Sequence, residues 1–176
     1  MTYFMNGVME VLNDPIALLV LVALGLFLGQ QPTRVLKFTL PVFVLALLVG
    51  LMLVRARLFT ANAGEASLAL AGGMALSTVL YLKPPISIST MLALLSGLAV
   101  GVMVKPFLLP GFAGFKVYST FAGVACSAAL ILVGVIAITV GLKRFWEGVL
   151  VRAVASWIVA SALMVLVLAA TKVLKL

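Results

Sequence analysis

An all-helical integral membrane bundle of about six transmembrane helices is the fold the sequence predicts, on three observations. Hydrophobic residues make up 65% of the 176 positions and charged residues 9%, where a soluble domain carries about 25% charged. Mean hydropathy is +1.37. The apolar runs are long and unbroken, without the apolar–polar alternation of barrel strands. Backbone polar groups must be satisfied internally in lipid, so such runs are helices. A hydrocarbon core of about 30 Å takes roughly 20 helical residues.

Six segments of one polytopic domain over residues 1–176 follow in order. The first covers about 15–31, with Asp14 as N-cap and Pro15 at the first helical position. It is short, so Asn6 to Leu12 either extend it or lie along the membrane interface. The second covers about 36–54 and ends at Arg55 and Arg57; Pro41 falls near its first turn, where a missing N–H is tolerated. The third covers about 64–82 and stops at Lys83-Pro84-Pro85. The fourth covers about 86–104 and stops at Lys105-Pro106. Residues 107–115 are apolar but broken by Pro110, Gly111 and Gly114, which reads as a turn or shallow re-entrant loop. The fifth helix covers about 116–142. Lys143 to Gly148 form an interfacial loop with Trp146 at headgroup level. The sixth covers about 149–173, anchored by Lys172 and Lys175. The first fourteen residues carry no Lys or Arg, so they do not read as a cleaved signal peptide.

The twelve basic residues give a net charge of +8. They are scattered between apolar runs and form no basic stripe, so membrane lipid headgroups are the expected partners and nucleic acid is not. Six spans put Arg55, Arg57, Lys105, Lys116, Lys172 and Lys175 at one end and Arg34, Lys37, Lys83, Lys143, Arg144 and Arg152 at the other. That balance leaves orientation open under the positive-inside rule. Glu10, Asp14 and Glu65 fall at the N-terminal end and lean it outward.

The chain has no histidine, one cysteine and four acidic residues. Catalysis is not expected: no serine has an imidazole base, Cys126 lies in an apolar run as an inert packing residue, and no glycine-rich phosphate loop precedes a helix. No cofactor is expected. Glu10 and Asp14, four apart, would share a helix face and could attract a cation; the plainer reading is an exposed face with Asp14 as a cap. Without nitrogen or sulfur ligands such a pair would not select a transition metal. Met1, Met5 and Met9 also recur every four residues, where a thioether site for Cu(I) competes with simple apolar packing.

Small residues mark the helix-packing faces. Gly25 and Gly29 are four apart, as are Gly97 and Gly101. Ala69, Gly72 and Gly73 thin the third helix, and Ala122, Gly123, Ala125, Ser127 and Ala128 thin the fifth. Such faces let backbones approach closely, either within the bundle or against another subunit. Ser67, Ser77, Ser87, Ser89, Ser96, Ser127, Ser156 and Ser161 could line a polar path, or bond back to their own helices.

Three stretches carry a family resemblance: G-V-M-E-V-L-N-D-P-I-A-L-L at 7–19 with A-L-G-L-F-L-G-Q-Q at 23–31, L-L-S-G-L-A-V-G at 94–101, and R-A-V-A-S-W-I-V-A at 152–160. Together they resemble the HupE/UreJ membrane proteins, putative nickel permeases linked to hydrogenase and urease maturation. The resemblance implies that fold and draws attention to Ser96, Val100, Arg152, Ser156 and Trp157, with Glu65 also suiting the pattern. The family's H-P-x-x-G-x-D-H motif lays its histidines on Glu10 and Ala17 and its aspartate on Ile16. Its F-H-G-x-A-H-G motif keeps Gly97, Ala99 and Gly101, but its histidines become Ser96 and Val100. A glycine framework kept without ligands suits a fold whose transport chemistry has been lost.

Arg152, a few residues inside the sixth helix, either anchors that helix by reaching the interface or pairs with Glu147, Glu65 or a lipid phosphate. Two functions remain. The favoured one is a non-catalytic accessory or structural subunit packed among other integral membrane subunits. The alternative is a permease for a metal ion of the nickel/cobalt class or a small solute. A bacterial inner membrane is the expected location.

Overall fold

A computed structural model describes residues 2–55, 63–80, 84–104, 115–146 and 149–174. Among them are seven helices: α1 (Thr2–Asn13), α2 (Pro15–Gly29), α3 (Thr33–Arg55), α4 (Ala63–Val79), α5 (Ile86–Met103), α6 (Phe115–Trp146) and α7 (Val149–Leu174). No strand occurs among the described residues. Four helical stretches are long and apolar enough to cross a membrane: Thr33–Val54, Ile86–Met103, Val117–Leu142 and Val149–Leu168. A fifth is added if α1 and α2, bent by 78°, count as one broken span.

The seventh helix is α1, and it corrects the reading of Asn6 to Leu12 as an extension of α2. Asp14 breaks the chain with extended torsions, φ −95° and ψ 100°. The following proline disfavours helical torsions in the residue before it, and Asp14 then caps α2 by accepting from the N–H groups of Ile16 and Ala17 at 3.0 and 3.1 Å. Two further corrections concern ends. Helix α3 begins at Thr33 and already holds Arg34 and Lys37, so Pro41 lies in its interior, not its first turn. There it withholds one hydrogen bond from the Lys37 carbonyl. Helix α6 continues to Trp146, so residues 143–146 are helical rather than a loop. The expected turn at 107–115 falls outside the described residues except for Phe115, as do Arg57, Lys83, Lys105, Glu147 and Lys175.

Helix α2 is the axis of the molecule. It touches α1, α4, α5, α6 and α7, and Ala17, Val20, Leu21 and every residue from Ala23 to Gly29 are buried. Its 15 residues span about 22 Å at 1.5 Å each, less than a bilayer core. Paired glycines fix how the others lie. Gly25 sits against Val135 and Gly29 against Thr139, so α2 and α6 run side by side in the same direction. Gly97 faces Phe43 and Leu47, and Gly101 faces Leu47 and Leu51, so α3 and α5 are likewise parallel. Helix α4 meets α2 where the Gln30 side-chain amide donates to the Thr78 carbonyl at 3.3 Å. It meets α7 where Gly72 faces Ala162. The stripe Val151, Ala155, Ile158 and Ala162 is the buried edge of α7; spacings of four, three and four keep it on one face.

Candidate functional site

Nine polar residues are buried among the described residues: Gln30, Gln31, Thr39, Ser67, Thr78, Ser89, Ser96, Ser127 and Thr139. Most of these nine are spent on their own helices. Thr39, Thr78 and Thr139 donate to the carbonyls of Val35, Met74 and Val135 at 2.9, 2.9 and 2.7 Å. Ser127 donates to the Val124 carbonyl at 3.0 Å. Such back-bonding supplies a hydroxyl with a partner where lipid and apolar side chains offer none.

Ser96 is fully buried on α5 and donates to the Leu92 carbonyl at 2.6 Å, with Met74 Sδ of α4 at 3.3 Å. Val100, one turn on, is also fully buried. Two histidines at these positions would point between α4 and α5; a serine and a valine fill that space with packing. The third resembling stretch behaves oppositely. Arg152 and Ser156 are exposed on α7, Ser156 donating back to the Ala153 carbonyl at 2.7 Å, and Trp157 is 79% exposed. Ser161 is exposed as well and bonds the Trp157 carbonyl. The serines therefore divide between the interior and the outer faces and do not converge on one path.

The acidic pair does not assemble as its spacing suggested. Glu10 is half-buried near the end of α1, while Asp14 stands at the break, so the two do not lie on one continuous helix. Asp14 Oδ1 is committed to the cap. Among the described residues no three cysteine, aspartate or glutamate side chains gather to hold a metal ion. Met5 and Met9 are exposed on α1 rather than packed, and Met1 lies outside the described residues. Cys126, expected within the packing, is exposed on the outer side of α6.

At several glycines the helices lie so close that a side-chain carbon would not fit. A side-chain carbon on Gly97 would lie 2.5 Å from the Phe43 carbonyl oxygen and 3.1 Å from the Leu47 nitrogen; on Gly101 it would lie 2.5 Å from the Leu47 oxygen. Gly25 and Gly29 would meet Val135 at 2.6 Å and Thr139 at 2.5 Å. Gly123 of α6 abuts the backbone oxygen of Phe4, and Gly7 of α1 abuts that of Thr120. Gly7 and Gly50 escaped the sequence reading. Gly50 answers Gly101 across the α3–α5 seam, and Ala46, four residues before it, touches Gly97; that A-x-x-x-G spacing was a usable signal. Gly7 has no small neighbour four residues away in either direction, and nothing in the sequence marked it. Gly73, by contrast, has nothing within 4 Å.

No family model, no curated protein and no solved structure matches the chain.

Proposed function

We propose that the protein is a non-catalytic accessory subunit that packs within a larger membrane complex, on a six-span HupE/UreJ-like framework. The observation that carries this reading is the contrast between the two resembling motifs. The residues of the α5 motif that would face a transported ion are packed: Ser96 on Met74 and Leu92, and Val100 in the core. Those of the α7 motif are turned outward, with Trp157 79% exposed beside Arg152 and Ser156. A large aromatic ring at an outer face is a common anchor between subunits. The six spans are α2 to α7. Helix α4, 17 residues long, lies between α2 and α7 and crosses with them; α1 serves as an arm to α2. The membrane is a bacterial inner membrane, and the partners are other integral membrane subunits and lipid.

Extraction from native membranes in a mild detergent tests the proposal. A stoichiometric assembly with other polypeptides, lost in Trp157→Ala, supports it. A free monomer or homo-oligomer overturns it and favours the permease reading, for which uptake of Ni²⁺ or Co²⁺ into vesicles is the next measurement.

A further inference from the structure

Helix α1 is seated on the N-terminal part of α6 by backbone contact from both sides. A side-chain carbon on Gly123 would meet the Phe4 carbonyl oxygen, and one on Gly7 would meet the Thr120 oxygen and the Val124 nitrogen. The 78° bend at Asp14 sets α1 nearly at right angles to α2. Helix α2 runs alongside α6, through Gly25 on Val135 and Gly29 on Thr139. Helix α1 therefore lies across α6, not along it. The apolar stretch of α6, Val117–Leu142, has its middle near residue 130. The seat at Thr120 to Val124 is centred about 11 Å from that middle, at 1.5 Å per residue. The edge of the hydrocarbon is about 15 Å from the bilayer middle. With α6 spanning the membrane, α1 lies in the plane of one leaflet, its axis about 4 Å inside the hydrocarbon edge.

The direction of the crossing decides which flank of α1 faces the bilayer middle. Phe4 meets α6 at Gly123, Gly7 meets it between Thr120 and Val124, and Asp14 leads into α2, which lies on the Val135 and Thr139 side. At about 100° per residue, these α6 positions follow one another in the sense in which α6 itself winds. A right-handed α1 running that way, with Gly7 and Val11 buried inward, turns Met5, Val8 and Leu12 toward the C-terminal half of α6, hence toward hydrocarbon. Asn6, Glu10 and Asn13 fall on the opposite flank, toward water. The division by geometry thus coincides with the division by polarity. Met5 and Leu12 are exposed. On α6, Gly134 and Ile138 continue the side that carries the seat, deeper in the bilayer. Among the described residues nothing lies within 4 Å of a carbon added at Gly134, and Ile138 is 62% exposed.

We propose that α1 is an interfacial helix whose underside overhangs the bare stretch of α6 and is filled by lipid acyl chains of one leaflet. The choice of occupant rests on continuity and chemistry. The overhang opens onto the outer surface of an apolar span, and Met5, Val8, Leu12, Gly134 and Ile138 bring no side-chain hydrogen-bonding group to it. The upper flank holds Asn6, Glu10 and Asn13 at headgroup level, as an amphipathic helix at an interface does. Helix α1 carries no Lys or Arg, so it sets the depth of the bundle by this partition and not by basic anchors. The site is separate from the resembling motifs and holds whether the protein is a subunit or a permease.

Nitroxide labels on the full chain, in vesicles of phosphatidylethanolamine and phosphatidylglycerol, test this. They are placed one at a time through Met5→Cys, Leu12→Cys, Asn6→Cys and Asn13→Cys, each with Cys126→Ser. Accessibility to oxygen, set against a water-soluble paramagnetic relaxant, should place positions 5 and 12 deeper than 6 and 13 by about 10 Å, the width of a helix. Four labels in water overturn the proposal by taking α1 out of the membrane. Four labels at one depth in lipid overturn it as well, since no flank would then face water. Labels at 5 and 12 closed to oxygen and relaxant alike overturn it by showing a protein cover, such as a second copy. If a variant does not accumulate, the unaltered protein in vesicles whose acyl chains carry a diazirine decides. Carbene insertion within residues 5–12 and 134–138 supports the overhang, and its absence from α1 overturns it.

Discussion

The α3–α5 seam and the outer face of α7 are both built from apolar helix, and they do opposite things with it. Along the seam, Gly97 and Gly101 bring α5 onto the α3 backbone, with Gly50 answering from the other side. Among the described side chains of α7, the narrow stripe Val151, Ala155, Ile158 and Ala162 is buried, while Trp157, Met164, Val167 and Leu168 stand exposed. In water a helix hides its apolar side and shows its polar one. In lipid both sides are apolar, so hydrophobicity no longer says which way a helix faces, and the closeness of backbones takes over. Residue size, not polarity, separates the two regions.

The sharpest way to break that comparison is Gly97→Leu. The new side chain would run into the Phe43 carbonyl and the Leu47 nitrogen, neither of which can turn aside. A loss of about 3 kcal/mol is expected, read as a large drop in the unfolding midpoint or in monodisperse protein recovered from detergent. Gly123→Ala is next, at about 2 kcal/mol, because its carbon meets the Phe4 backbone oxygen. Its signature is local: α1 should exchange amide hydrogens faster while α3 and α5 keep their protection. Asp14→Ala should cost about 1 kcal/mol through the lost cap on Ile16 and Ala17. Asp14→Asn should restore most of it, since an amide oxygen caps as a carboxylate does; a failure of asparagine to rescue would reopen a role for the charge. On the α7 side, Trp157→Ala should change the isolated protein by no more than about 0.5 kcal/mol while weakening any native assembly. Gly73→Leu, where nothing lies within 4 Å, should be as mild in the isolated protein. If either of these two variants unfolded the isolated chain as readily as Gly97→Leu, size at close contact would not be what distinguishes the regions.

Much of the fold was legible because helix ends are written in charges and prolines. Asp14-Pro15 opens α2, Pro85 precedes α5, and Arg55 ends α3, each within a few residues of where the sequence put it. Where the reading slipped, a competing rule prevailed. The sequence reading begins this helix near residue 36 and leaves Arg34 outside it, yet a helix continues into the headgroup layer, and the start at Thr33 sets Pro41 in the interior of α3. The same error shortened α6 at Lys143. The break at Asp14 was written in the same dipeptide that opens α2, but its other half, that the residue before proline resists helix, was not applied to α1. The candidate site was less legible. Which serine is inside depends on the rotation of each helix. A helix apolar all round carries no pattern from which that rotation can be read.

The crossing of Gly7 and Gly123 has a consequence for how the protein is made. The seat for α1 is the backbone of α6 around Thr120 to Val124, which leaves the ribosome roughly a hundred residues after α1 itself. At about 5–20 residues per second, the first helix waits on the order of 5–20 s before its docking partner exists. The break at Asp14 and Pro15 lets α2 form meanwhile as a separate helix, with α1 set off from it by the 78° bend. The N-terminal arm is thus synthesised first and locked late, and its closure onto α6 marks the arrival of the second half of the chain.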